Sequence, residues 1–257
     1  MTINARLRAL YADWKCGLRG DDPMVAQLSP PDLVCVPDGY EQASSRVVYV
    51  GQEQMGWSWS QRSLDEYDYG TQIWPHSSIE SWLDFITAPD SVDALMAGYR
   101  LFDFAQHQPL NHRSPFWRQY RRFAAHGAAC TTNLDRTSWK GGAIDDGPPE
   151  MRAYIANSGT HKLLRDELAI LAPTICLFMT GPHRDHLIKE TCPGVRFEPL
   201  SPDIPREQLG RLICDGLPPL SFRTYHPSHL SRCNKGFYLD LIESQLAHPS
   251  AFDAGEP

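Results

Sequence analysis

The chain has 257 residues, of which 42% are apolar and 11% aromatic, and its formal net charge at pH 7 is −7. This composition is sufficient to build the core of one large domain. The negative charge argues against a protein that coats nucleic acid non-specifically, because lysine and arginine supply most of the affinity for phosphate. An enzyme can still concentrate positive charge on one face.

Compartment and redox state follow from two absences in the sequence. No run of about 18 apolar residues could span a bilayer, and residues 1–6 lack the apolar segment of a signal peptide. The seven cysteines are scattered without a C-x-x-C pair, which argues against disulfides and a closed metal site. We therefore expect a cytoplasmic protein with no membrane partner and no metal or cofactor.

In chain order, the first predicted elements are a helix over residues 5–17, a strand over 46–51 and a helix over about 90–106. Residues 52–80 form a polar connection that is rich in serine and tryptophan. Such a long irregular segment is more often functional than not.

Residues 113–123 predict an amphipathic helix with Arg118 and Arg122 on one stripe. The aromatic residues on a neighbouring stripe, which we expect to face the core, are Trp117, Tyr120 and Phe123. A solvated surface helix is the more common outcome of this pattern, and contact with DNA phosphate is the alternative.

The next elements alternate between strands and helices. Residues 128–134 predict a strand with Asn133 near its end, followed by a loop rich in glycine, proline and aspartate through Pro149. Residues 163–171 predict a helix, and 174–181 predict a continuously apolar strand closed by glycine. A strand that is apolar on both faces is typical of a parallel sheet covered on both sides.

Two further strands, at 195–200 and 221–225, and a helix at 237–246 complete the pattern. We predict an α/β fold: a single three-layer αβα domain over residues 1–246 with a central, mostly parallel sheet of four to five strands, then a loose tail over 247–257. Ligands of such sheets bind beyond the carboxyl ends of the strands. The residues expected at that edge are Gly51, Asn133, Gly181 and His226.

Two of these strand ends carry residues capable of chemistry. The first strand stops at Gly51-Gln52-Glu53, which delivers a carboxylate. The last runs into His226-Pro227-Ser228-His229-Leu230-Ser231-Arg232, which we interpret as a rigid loop presenting an imidazole, a hydroxyl and a leucine. A bare H-P-S is weak evidence, since His248-Pro249-Ser250 repeats it with no strand before it.

These motifs, in this order, resemble the uracil-DNA glycosylase superfamily, whose first motif is a strand ending in G-Q-D-P-Y-H or G-x-N-P-G. Its last motif is H-P-S-P-L-S or a shorter H-P-S. The segment from Leu164 to Pro173 and the strand after it are similar to the family's leucine-rich helix, proline and glycine-closed strand. The resemblance covers roughly residues 46–246, and it implies a monomeric, cofactor-free glycosylase that hydrolyses the N-glycosidic bond of a base flipped out of DNA.

The resemblance also implies roles for three residues. Glu53 would orient or deprotonate the attacking water and steady the sugar cation, and His226 would donate a hydrogen bond to the base oxygen as a neutral imidazole. Asn133 would read the edge of the pyrimidine. The plainer readings are a helix-capping carboxylate, a structural histidine and a turn asparagine.

Further residues follow from the same resemblance. Ser228 would bond a phosphate and Leu230 would fill the gap left by the flipped nucleotide, with ordinary burial as the alternative for Leu230. The other predicted DNA contacts are Ser231, Arg232, Arg118 and Arg122. The predicted base-binding residues are Gln52, Asn133, Met55, Trp57 and Trp59, and core packing explains either tryptophan as well as stacking does.

The chain departs from the family after its first motif. Members strict for uracil continue with Pro-Tyr-His, and that tyrosine closes the pocket against groups at the pyrimidine C5 position. Here Gln54-Met55-Gly56-Trp57 follows, and a flexible Met55 with a polar insert at 57–80 suits a larger base. We expect DNA containing a modified or damaged pyrimidine as the partner, for example glucosylated hydroxymethylcytosine in phage DNA. With the proline missing, Gln52 or Glu66 is an alternative group to face the sugar.

Three other functions stay open at this point. One is a uracil-DNA glycosylase of base-excision repair, and another is a sensor that binds a modified base without cutting. The third is a metal-dependent hydrolase that uses His161, His183, Asp185 and His186. That set has no H-E-x-x-H signature, and solvent-facing residues at the start of a helix are the more common case.

Overall fold

The structure, a computed structural model, describes residues 1–54, 79–103 and 114–247. At its centre lies a sheet of six strands in the order β2-β1-β3-β6-β5-β4. The strands are β1 (Arg46–Glu53), β2 (Ala128–Asp135), β3 (Ile175–Met179), β4 (Arg196–Pro199), β5 (Leu209–Ile213) and β6 (Leu220–Thr224).

The strands β2, β1, β3 and β6 run parallel, and β5 is antiparallel to both of its neighbours. The predicted α/β class and the mostly parallel sheet are confirmed. The predicted number of strands is wrong, because β5 was not expected. Its five residues contain Gly210, and the strand forms by antiparallel pairing with β4 and β6 rather than by a strong pattern of its own.

The described part of the chain contains nine α-helices. They are α1 (Ile3–Cys16), α2 (Trp82–Thr87), α3 (Ser91–Asp103), α4 (Pro115–Ala124), α5 (Pro149–Asn157), α6 (Thr160–Leu171), α7 (Asp185–Thr191), α8 (Pro227–Arg232) and α9 (Phe237–Ala247). Within the same ranges, no helix combines the length and the apolar character needed to cross a bilayer.

Both faces of the sheet are covered by helices. Val48 and Val50 of β1 point into a core shared with α1, α3 and α6. Val47 and Tyr49 point into a second core on the opposite face, shared with α4 and α9. Successive side chains of a strand face opposite sides, so a strand buried on both faces must be apolar throughout. The result is three layers with the sheet in the middle.

Proline at a helix start explains two differences from the prediction. The sequence predicts a loop that ends at Pro149 and a rigid loop that contains Pro227, but each proline is the first residue of a helix. Proline suits this position, because the first backbone N–H of a helix has no partner within the helix. The H-P-S segment is therefore a strand end that turns directly into the six-residue helix α8.

One ion network is enclosed in the core, and we call Arg136, Glu167, Asp32 and Tyr11 the Arg136 network. The side chains of Arg136 and Glu167 are 0% exposed and form an ion pair. The Tyr11 hydroxyl donates to Glu167 at 2.6 Å, and Asp32 Oδ2 lies 3.9 Å from Arg136. The network joins α1, α6 and the segment that follows β2.

Candidate active site at the carboxyl edge of the sheet

The order of the strands places a crevice between β1 and β3. The chain passes from β1 to β2 on one side and then returns across β1 to β3 on the other. Ligands of open α/β sheets bind where the order reverses in this way, beyond the carboxyl ends of the strands. The residues at this point are Gln52 and Glu53 after β1, and Thr180 to Arg184 after β3.

The side chain of Gln52 bridges the ends of β1 and β3. Its Nε2 donates to the backbone oxygen of Thr180 at 2.7 Å and lies 3.1 Å from Nε2 of His183. Burial lowers the pKa of His183, which favours the neutral ring that this contact requires. The predicted base-binding residue Gln52 thus has its amide nitrogen engaged with protein groups on the far side of the crevice.

A single guanidinium binds three carboxylates beside Gln52, and we call Arg184, Glu53, Asp135 and Asp145 the Arg184 cluster. The nitrogens of Arg184 lie 2.9 Å from Glu53, 3.2 Å from Asp135 and 2.6 Å from Asp145. The Arg184 side chain is only 5% exposed, whereas that of Asp145 is 58% exposed. The cluster therefore extends from the interior to the surface.

Two carboxyl groups of the Arg184 cluster, those of Asp135 and Glu53, have raised pKa values. Burial raises the pKa of Asp135 to about 7, against the attraction of Arg184 and with a further increase from Glu53. Burial also raises the pKa of Glu53, again opposed by Arg184. Acidic groups with raised pKa values at a strand end are typical of sites for acid and base chemistry.

His226 caps the first turn of α8 through one ring nitrogen and leaves the other ring nitrogen for chemistry. Its Nδ1 accepts a hydrogen bond from the backbone N–H of Ser228 at 3.2 Å, so the neutral ring carries its hydrogen on Nε2. Burial, with a smaller contribution from Arg232, lowers the pKa of His226 to about 4. The imidazole is therefore neutral at pH 7 and is available as a donor through Nε2.

Phe116 of α4 connects the end of β1 with the end of β6. Its ring stacks on His226 with centroids 5.5 Å apart and an interplanar angle of 11°. The same ring would lie 3.3 Å from a Cβ atom built on Gly51. Since β1 and β6 are separated by β3 alone, their ends are roughly 10 Å apart. The two sequence motifs therefore meet at one edge, as the sequence predicts.

Asn133 lies directly beside Gly51. A Cβ atom at Gly51 would be 2.2 Å from Asn133 Oδ1, so only glycine leaves room for this amide. The Nδ2 of Asn133 donates to Asp32 at 3.1 Å. All four predicted strand ends thus lie at the carboxyl edge, and Gly181 completes the set with a φ of 71° next to His183 and Tyr225.

Two predicted DNA contacts are not presented to a ligand. Leu230 is 1% exposed and packs in the core on the side of α9, so ordinary burial describes it and a role as a wedge does not. Arg122 donates to Glu243 at 3.0 Å and to Asp240 at 2.7 Å, which compensates its charge. We do not propose Leu230 or Arg122 as a DNA contact.

The remaining predicted contacts have the following places. Ser231 and Arg232 are exposed on α8, and Ser228 is half-buried there. Arg118 is exposed on α4, while the predicted core stripe Trp117, Tyr120 and Phe123 is buried. Met55, Trp57, Trp59 and the alternative acid Glu66 lie outside the described residues.

The residues of the metal-hydrolase alternative face separate partners. His161 lies 3.1 Å from Glu190, His183 contacts Gln52, and Asp185 pairs with Arg223 at 2.9 Å. Among residues 1–54, 79–103 and 114–247, no group of three or more histidine, cysteine or acidic side chains is arranged to hold a metal ion.

A separate cavity of about 850 Å³ lies between the end of α1 and α5. Its lining includes Asp21, Asp22, Glu150 and Tyr154, and none of the strand-end residues belongs to it. By volume alone, this cavity would be a candidate ligand site. The strand ends are the stronger candidate, because they combine shifted pKa values, a buried cation and the reversal in strand order.

The sequence does not single out Arg184, Asp135, Asp32 or Phe116, and it marks His183 only as a candidate metal ligand. Their partners lie far away in the chain: the residue numbers of Arg184 and Glu53 differ by 131, and those of Asn133 and Asp32 differ by 101. One signal was available for two of them. His183 and Arg184 follow directly after Gly181, a strand end that the sequence had already placed at the ligand edge.

Comparisons with protein-family models, with curated proteins and with solved structures find no match for this chain.

Proposed function

We propose that the protein is a monofunctional DNA glycosylase that flips a modified pyrimidine out of DNA, hydrolyses its N-glycosidic bond and leaves an abasic site. One observation carries this proposal. A neutral, half-buried imidazole and a carboxylate stand at the carboxyl ends of β6 and β1, which flank β3 at one edge of the sheet. Hydrolysis of an N-glycosidic bond is promoted by one group on the sugar side of the bond and a second group on the base side.

The carboxylate would act on the sugar side. Cleavage leaves positive charge on the sugar and requires a water near the anomeric carbon. Glu53 supplies a negative charge and an acceptor for that water, with its side chain 14% exposed. The contact with Arg184 at 2.9 Å fixes the position of the carboxylate, and its positive charge opposes the rise in the pKa of Glu53 that burial causes.

The imidazole would act on the base side. The departing base takes up negative charge, which a fixed N–H donor stabilises more strongly as the charge develops. His226 has this donor on Nε2, because Nδ1 is occupied by the Ser228 N–H. A neutral donor suits an anionic product, since the ring keeps its proton throughout the reaction.

The motifs around Gly51 and His226 support assignment to a uracil-DNA glycosylase-like fold, since both lie at the expected edge of a three-layer αβα structure. The replacement of the pyrimidine-closing tyrosine supports a base larger than uracil, such as glucosylated hydroxymethylcytosine of phage DNA. The proposal includes a monomer that acts in the cytoplasm without a cofactor.

The test is to incubate the purified protein with duplexes that carry uracil, hydroxymethylcytosine or glucosylated hydroxymethylcytosine, and to measure abasic sites. We expect abasic sites in a duplex with a modified base, unaffected by EDTA. Glu53→Gln should lower the rate by about 10²–10³-fold. Glu198→Gln, on the partly exposed β4, is the matched control and should keep the rate.

Two outcomes would contradict the proposal in different ways. Release of uracil alone would identify a repair glycosylase and overturn the larger pocket. If the protein releases no base from any of the duplexes, the assignment as a glycosylase is overturned.

A second candidate is a sensor that binds a modified base without cutting. The ion pair between Arg184 and Glu53 favours it, because a carboxylate paired with a cation is a weaker base. Tight binding to modified DNA without abasic product would identify the sensor.

A further inference from the structure

The amide of Asn133 is held in one orientation. Its Nδ2 donates to Oδ2 of Asp32 at 3.1 Å, and its Oδ1 lies over Gly51, where a Cβ atom would come within 2.2 Å. An amide has a donor at one end and an acceptor at the other, so its rotation by 180° exchanges them. The hydrogen bond to Asp32 therefore fixes the amide with Nδ2 towards Asp32 and Oδ1 towards Gly51.

Asp32 is a suitable residue to hold the amide because it is itself fixed. Asp32 is 4% exposed, and its backbone N–H donates to the backbone oxygen of Arg136 at 3.0 Å. Nη1 of Arg136 donates to the backbone oxygen of Asp32 at 3.3 Å. The charged and titratable groups that face its carboxyl group are those of Arg136, Glu167, Tyr11 and Asp135.

The carboxyl group of Asp32 accepts but does not donate at neutral pH. Burial raises its pKa to about 6, and the attraction of Arg136 limits the increase. At pH 7 the group is therefore mostly ionised. An ionised carboxylate has only acceptor oxygens, so it binds the Nδ2 end of Asn133 and excludes the Oδ1 end.

A fixed amide distinguishes two classes of pyrimidine. A 4-keto pyrimidine such as uracil offers an acceptor at position 4 and a donor at N3. A 4-amino pyrimidine such as cytosine offers a donor at position 4 and an acceptor at N3. The two require opposite orientations of the same amide.

We propose that Asp32 is a positioning residue that sets the base selectivity of the site by fixing the amide of Asn133. The inference rests on the proposed function, in that the pyrimidine edge meets Asn133. It adds a residue from outside the strand ends that selects between 4-amino and 4-keto pyrimidines.

The experiment compares duplexes that carry 5-hydroxymethylcytosine or 5-hydroxymethyluracil, which share the C5 group and differ at position 4 and N3. Excision is measured on these duplexes. Binding is measured on their 2′-fluoro-arabino forms, in which the fluorine slows cleavage. We expect the wild-type protein to prefer one base by about tenfold or more. In Asp32→Asn the new amide can pair with either end of the Asn133 amide. The ratio of activities on the two bases should therefore approach 1.

The control is Asp38→Asn, since Asp38 is highly exposed and pairs with Arg100 on the surface. It should keep the wild-type preference. Should Asp32→Asn fail to fold, the wild-type protein provides the same test through pH. Protonated Asp32 can donate to Oδ1 of a rotated amide, so the preference should decrease as the pH falls below about 6.

A wild-type protein without a preference, a folded Asp32→Asn with an unchanged preference, or a preference independent of pH between 5 and 8 would each overturn the inference. Preferential binding without any excision would refute the glycosylase and leave the role of Asp32 supported.

Discussion

Two buried arginines organise this molecule, and they differ in what surrounds them. In the Arg136 network, the side chains of Arg136, Glu167 and Asp32 are at most 1% exposed. In the Arg184 cluster, Glu53 is 14% and Asp145 58% exposed, and the guanidinium serves three carboxylates. The first group is sealed between helices and the sheet. The second lies at the ligand edge and opens to solvent.

The comparison shows that a buried ion pair does not by itself identify a functional site. An ion pair enclosed on all sides holds elements together but offers no atom to a ligand, and the loss of one partner leaves a buried charge. An arginine that shares several carboxylates at a strand end leaves reactive groups within reach of substrate. Three substitutions test this distinction.

The largest effect is expected for Glu167→Gln in the Arg136 network. It removes the charge that compensates the buried Arg136, so the free energy of unfolding should fall by about 3–5 kcal/mol. Denaturant unfolding measures this, and Asp166→Asn is the matched control. Asp166 is the neighbouring residue in an exposed pair with Arg165, whose loss should cost less than about 1 kcal/mol. Equal effects of the two variants would contradict the structural role of the network.

A smaller, pH-dependent effect is expected for Asp135→Asn in the Arg184 cluster. The pKa of Asp135 is raised to about 7 in the folded protein, so its contribution to stability is fully present below about pH 4 and is lost as the pH rises to about 7. Asparagine does not ionise. The stability of the variant relative to the wild-type protein should therefore increase by up to about 4 kcal/mol between pH 4 and pH 8.

Unfolding curves across this pH range check the prediction for Asp135, with the exposed Asp215→Asn as the control that should follow the wild-type curve. A difference between Asp135→Asn and the wild-type protein that stays constant with pH would show that Asp135 is ionised throughout.

The smallest effect is expected for Gly51→Ala, which tests the fit at the ligand edge. The new Cβ atom would lie 2.2 Å from Asn133 Oδ1, so the amide must move, and activity on the preferred base should fall by about tenfold. Gly216→Ala is the control, because nothing lies within 4 Å of a Cβ atom there. Full activity of Gly51→Ala would show that Asn133 does not need its present position.

Much of the sheet could be predicted because its strands are marked locally. β1 and β3 are apolar runs closed by glycine, and parallel strands present their carboxyl ends at one edge. The sequence alone therefore predicts that four residues lie together at this edge, namely Gly51, Asn133, Gly181 and His226. β5 could not be predicted in this way, because a five-residue strand that contains a glycine depends on pairing with its neighbours.

The partners within the site could not be predicted in the same way. Arg184, Asp135 and Asp32 become site residues only when elements far apart in the chain are packed together, and no local pattern encodes those contacts. Leu230 illustrates the opposite error. The motif suggested an exposed leucine, but α8 begins at Pro227 and turns that side chain into the core.

The last strand of the sheet has a consequence for how copies of the protein meet. β4 has only four residues, and it carries an exposed Arg196 and an exposed Pro199. Proline has no N–H to give to an incoming strand, and a charged side chain disfavours a dry contact. A strand of a second molecule would therefore form few hydrogen bonds with the free edge of β4. This protects the sheet from aggregation at that edge.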